Sequence, residues 1–141
     1  MEKLAKYIQE NNVEYSDSCI KESEIKTIEN VMEVKFGSCL TEYLSKYGYL
    51  SFGFVELYGV TKKQGLNSDL VRQTLYLHRW FPNTVGLIAI DNQGEGDYFL
   101  VNSEDKVFEY DSELDMLYDT KINLEEYILN RFKSEKQMQN N

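Results

Sequence analysis

The sequence is poor in the residues that most often carry chemistry. It has two cysteines and one histidine. Cys19 and Cys39 stand twenty residues apart with no second pair, so the spacing of a structural zinc site is absent. In a reducing compartment both remain thiols, and both read as small half-buried residues. His78 has no cysteine at a recognisable spacing and no G-x-S-x-G motif beside it, which leaves nucleophilic catalysis without a base-activated nucleophile. It falls next to the apolar side of a helical pattern and reads as a core or boundary residue. Long apolar runs are missing too, and none approaches the roughly 20 residues of a membrane span. The start, Met1-Glu-Lys-Leu-Ala-Lys, lacks the basic-then-apolar order of a secretion signal. A cytoplasmic protein that does not enter a membrane is expected. Bases are scattered: Lys62-Lys63, Arg72 and Arg79 form no stripe interleaved with aromatics, so direct nucleic-acid binding is not expected.

The scarcity of bases is sharpest between Asp91 and Asp119. Ten acids fall there, namely Asp91, Glu95, Asp97, Glu104, Asp105, Glu109, Asp111, Glu113, Asp115 and Asp119, against Lys106 alone. The segment carries −9, the formal charge of the entire chain, and the remainder is neutral. A one-sided field of this kind repels nucleic acid and attracts cationic protein surfaces. Two other uses of the acids are weak. Asp91-Asn-Gln-Gly-Glu-Gly resembles the opening of an EF-hand loop, but Asn102 stands where a bidentate Glu is required and the flanks read as strands. Asp111, Glu113 and Asp115 have ligand-like spacing without the turn glycine. A catalytic carboxylate pair would need a substrate platform, which nothing in the sequence marks. Neither a metal nor another cofactor is expected, and no enzymatic activity.

What is present suits one packed domain. The chain has 141 residues, 42% hydrophobic and 13% aromatic. Leu4, Tyr7 and Ile8 predict a helix from Glu2 to about Asn11. Ile20, Ile25, Ile28, Val31 and Met32 predict a second, capped at Ser18 or Ser23 and ended by Gly37. A third opens at Ser38 and spans Cys39 to Lys46, closed by Gly48. Leu50 to Val60 reads as a strand or hairpin bent at Gly53, and Thr61 to Gly65 as a basic turn. Asn67 or Ser68 caps a helix that carries Leu70, Val71, Thr74, Leu75, Leu77, His78 and Phe81 and stops at Pro82-Asn83. Strands follow at Val85 to Ile90, Asp97 to Val101 and Lys106 to Tyr110, in the spacing of an antiparallel meander. Asp111 to Lys121 reads as irregular. Asn123 caps a last helix through Phe132. The expected fold is α+β, a mostly antiparallel meander packed by N-terminal, central and C-terminal helices. It forms one domain over residues 1–133, with a polar tail, 134–141, that frays.

Three stretches resemble a known family. ESEIKTIENVMEVKFGSCLTEYLSKYG, from Glu22 to Gly48, is similar to the opening of the SUKH superfamily, the Smi/Knr-like domain. Glu24-Ile25 and Glu29 fit its first helix; Tyr43-Leu44 and Gly48 fit the second. Where the family usually has Leu-Pro, this chain has Phe36-Gly37. VGLIAIDNQGEGDYFLVNSEDKVFEYD, from Val85 to Asp111, resembles the family's strand, Gly-rich turn, strand, turn and acidic-ended strand, and LEEYILNRF resembles its closing helix. The resemblance implies an α+β fold and a non-catalytic role. Many bacterial members are immunity proteins, encoded beside secreted polymorphic toxins that are often nucleases.

On that reading the partner is a cognate toxin, and a cationic nuclease domain suits the charge. The expected contact residues are Glu95, Asp97, Glu109, Asp111, Glu113, Asp115 and Asp119, with Tyr118 as an exposed anchor because it lies in the irregular part. Tyr98 and Tyr110 lie in the same stretch and read equally as core. Two alternatives stand beside this one. The acids are a solvated face that serves only solubility, or the fold serves as a regulatory or scaffold module that binds another protein.

Overall fold

A computed structural model describes residues 1–61 and 66–140. The Lys62-Lys63 pair and most of the basic turn expected at Thr61 to Gly65 lie outside the described residues. Five helices accompany two antiparallel sheets among the described residues. Helix α1 (Glu2–Asn11) leads into β1 (Glu14–Tyr15), and α2 (Glu22–Met32) and α3 (Ser38–Lys46) precede β2 (Leu50–Phe52) and β3 (Val55–Glu56), which form a small sheet with β1. After helix α4 (Leu70–Trp80) comes the main sheet, β4 (Ile88–Asn92), β5 (Asp97–Val101), β6 (Lys106–Asp111) and β7 (Met116–Asn123), in the order of the sequence. Helix α5 (Leu124–Gln139) closes the chain. This is the α+β meander with packed helices that the sequence leads one to expect.

The meander is sandwiched. In β5 and β6, Phe99 faces one side and Tyr110 the other, because side chains alternate along a strand and Phe99 pairs with Glu109. On the first side α5 lays Tyr127 against Phe99, ring centres 4.9 Å apart. On the second, Phe81 at the end of α4 meets Tyr110 at 5.5 Å. Away from the main sheet, Phe132 of α5 packs against Tyr7 of α1 and Phe52 of β2. Burying an aromatic or aliphatic side chain of this size contributes about 1.5–3 kcal/mol each.

Several boundaries differ from expectation, each for a local reason. The main correction is Asp111 to Lys121. It is not irregular: a tight turn at Ser112–Asp115 leads into β7, paired with β6 from Asp111↔Met116 to Phe108↔Asp119. The acids in the turn masked the strand formers Leu117, Tyr118, Thr120 and Ile122 behind it. Helix α2 starts at Glu22 after Lys21, without a side-chain cap. Ser18 bonds Ser16 instead. Val31, placed on the apolar face, is 62% exposed. Helix α4 is capped by Asp69, whose carboxylate accepts from Arg72 N at 3.1 Å, rather than by Asn67 or Ser68. The apolar run at Val85 becomes a strand only at Ile88, because a 3-10 turn occupies Pro82–Thr84 and Gly86 takes φ 91°. The tail expected to fray after Lys133 is helical to Gln139, held by a buried Glu135 that accepts from Phe54 N at 3.0 Å.

Candidate functional site

The ten acids divide into distinct roles once the meander is built. Asp91 is 1% exposed. Its Oδ2 accepts from Arg131 Nε at 2.9 Å and from Tyr127 OH at 2.6 Å, while Oδ1 accepts from Asn92 N at 2.8 Å. Burial first, and then the neighbouring Asp91 charge, hold the Tyr127 phenol far above its ordinary value, so it stays a donor. Asp91 is therefore an internal structural anion, although the sequence places it in a surface turn.

Asp105 is also internal. From the β5–β6 turn its two oxygens accept from Cys39 N and Leu40 N, both at 2.9 Å, and so satisfy the first free N–H groups of α3. The Asp105 carboxylate lies where a Cβ on residue 37 would sit, which explains the glycine at Gly37 in place of the proline usual before this helix. Glu104 is exposed beside Asp105, at the opposite end of the strands from the remaining acids. Asp119 is exposed and tied to Lys121, through its backbone N at 2.8 Å and its Nζ at 3.3 Å. That local partner holds its carboxyl below the usual range.

The rest converge. The turns Gln93–Gly96 and Ser112–Asp115 lie side by side at one end of the meander, laced where Ser112 N and Ser112 Oγ donate to Gly96 O at 3.0 and 2.8 Å. Glu95 and Asp115 sit in the left-handed region, at φ 54° and 51°. Glu95 and Glu113 are exposed, and among the described residues their carboxylates accept no hydrogen bond. Asp111 and Asp115 instead brace the turn. Asp111 Oδ1 accepts from Glu113 N and Leu114 N at 3.0 and 3.2 Å, and Asp115 Oδ1 accepts from Asn83 Nδ2 at 3.1 Å and from Tyr110 OH.

Asp97, Glu109 and Asp111 share one face of the strands, since Asp97 pairs with Asp111 and Glu109 lies diagonally two residues away. Asp97 Oδ1 is buried without a hydrogen-bond partner. Desolvation, then Glu109 and Asp111, push the Asp97 carboxyl up to about 7. Tyr118, opposite Glu109 on β7, faces the same side and is 41% exposed.

Glu95, Asp97, Glu109, Asp111, Glu113 and Asp115 thus form an acidic end to the sheet, with Tyr118 beside it. Asp119 belongs to the neighbouring strand surface, largely neutralised by Lys121. The sequence reading misses the apolar company of this end. Leu114, Met116 and Leu117 are exposed next to Tyr118; the signal that could have found them is the β-prone run that starts at Met116.

The remaining chemistry is quiet. His78 Nε2 is bound to Leu87 O at 2.7 Å. Both cysteines are free and half-buried, and burial pushes the Cys39 thiol up to about 12, away from the reactive thiolate. Among the described residues no three His, Cys, Asp or Glu side chains gather as a metal site, and no helix is long and apolar enough to cross a membrane.

The chain belongs to the SUKH superfamily: it matches the family model described as SMI1-KNR4 cell-wall over residues 1–133. The resemblance carried by Glu22 to Gly48 and Val85 to Asp111 therefore holds over almost the whole chain. No curated protein matches the sequence.

Proposed function

We propose that this protein is an immunity protein that binds a cognate secreted toxin in the cytoplasm of the producing cell and neutralises it, the toxin being a basic nuclease domain. The family's members bind partner proteins, and the observation that carries the finer reading is the acidic end of the meander. A nuclease must present positive charge to phosphates. Carboxylates held on two laced turns can occupy that surface. Because the turns are fixed by their own hydrogen bonds, little ordering entropy is lost on docking. Opposed potentials raise association rates by roughly 10 to 10³, which suits a protein whose partner harms its maker from the moment it is free.

The test is co-expression with the product of the neighbouring open reading frame. Rescue of growth together with co-purification as a stable complex is the expected result. A neighbour that is harmless by itself, or toxic and unrescued, would overturn the reading.

A further inference from the structure

The two edges of the meander are treated differently. On β4 the edge is covered: Tyr58 N donates to Ile90 O at 2.8 Å, and Ala89 N donates to Thr74 Oγ1 at 3.0 Å. Among the described residues, no strand lies beyond β7. Like any edge strand it turns unpaired backbone N–H and C=O groups outward, and proteins usually blunt such edges with short strands, proline, lysine or bulges. β7 is 8 residues long and carries no proline. Its blunting is confined to one half, where Lys121 sits at φ 66° and the pairing with β6 shifts register. The other half, residues 116–119, runs in unbroken register against Phe108–Asp111. There Met116, Leu117 and Tyr118 are exposed, as is Leu114 in the adjoining turn.

Charge decides the occupant. Pairing β7 of one copy with β7 of another would bring two chains of formal charge −9 edge to edge; like-charge repulsion between whole chains opposes that. An extended segment that alternates basic and apolar residues meets acids at the turn and apolar side chains along the strand.

We propose that β7 takes its protein partner by strand addition: an extended segment bearing lysine or arginine pairs with residues 116–119 and continues the meander. This rests on the reading of the protein as a binder of a cationic partner, and specifies how that partner is held. Backbone hydrogen bonds along the edge supply affinity. Side chains of the added strand alternate, one set meeting Met116 and Tyr118, the other Leu117 and Asp119.

The test uses the full chain and a short peptide that alternates lysine and valine. A second peptide of the same sequence is N-methylated at alternate backbone nitrogens, which keeps its charge and removes its donors. Amide hydrogen exchange is followed by NMR. The unmodified peptide should slow exchange at alternate amides of residues 116–119 by about tenfold or more, and the methylated one should not. Protection elsewhere, equal protection by both peptides, no protection, or a peptide-free dimer that shields the same amides would each overturn the proposal. Exchange in complex with the neighbouring toxin separates the two claims. Neutralisation with β7 unprotected removes strand addition and leaves the immunity reading. Protection by the peptide with no neutralised toxin does the reverse.

Discussion

Arg131 on α5 reaches Asp91 on β4 at 2.9 Å, and Tyr127 OH donates to the same carboxylate oxygen. The most acidic stretch of the chain is thereby pinned into the core at its first residue. Arg131→Ala strands a buried carboxylate with one phenol and one backbone donor. The expected cost is about 3 kcal/mol in urea unfolding at pH 7, with an unchanged denaturant slope. Asp91→Asn, which keeps the shape and one acceptor oxygen, should cost less. A wild-type midpoint for Arg131→Ala would remove the pair from the account.

Asp105 makes a second prediction. It caps α3 across 66 residues of sequence. Asp105→Ala should cost about 1–2 kcal/mol, the usual range for a lost N-cap, as read from the thermal or chemical midpoint. Partner association should be unchanged, because this acid faces inward. An association defect without a stability defect would contradict its assignment as a cap.

The helices and most strands were legible because their apolar periods are regular. α1, α3, β5 and the Asn123 cap of α5 fall where the residues predict them. What was not legible depends on distant partners. Nothing local marks Asp91 as the counter-ion of Arg131, or Asp105 as the cap of α3, so both read as surface charge. β7 was hidden for a different reason: residues 116–119 are exposed on both faces, so only its second half alternates, and the acids of the preceding turn masked its strand formers. The acidic end itself was legible as charge. Its division into Glu95 and Glu113, which are free of inward bonds, and Asp111 and Asp115, which brace a turn, needed the geometry.

Asp97 gives a pH prediction. In the fold its carboxyl is pushed up to about 7, from an ordinary value of 3.8. Between those values the native protein holds a proton that the unfolded chain has released. Its contribution is therefore greatest at low pH and is lost as pH rises through about 7. Asp97→Asn should flatten that part of the profile and raise the melting temperature above neutrality relative to wild type. Parallel profiles for the two proteins from pH 4 to 8 would contradict the shared burial of Asp97 with Glu109.

Tyr118 should govern residence time and not encounter. Tyr118→Ala should speed dissociation of the neutralised partner by about 30-fold, the equivalent of a 2 kcal/mol anchor, with the association rate little changed. The two rate constants are separable by surface plasmon resonance. An unchanged dissociation rate would take Tyr118 out of the interface.

The most direct measurement concerns the carboxylates that carry no structural load. Glu95→Lys and Glu113→Lys together reverse charge at the tip without touching the bonds of Asp111 and Asp115. Stopped-flow association with the proposed toxin partner, followed against ionic strength, should show a wild-type rate that falls steeply with salt, and a variant rate at least about tenfold slower at low salt with a flattened dependence. Equal rates and equal salt slopes for the two proteins, with the variant fully folded, would contradict the acidic end as the docking surface.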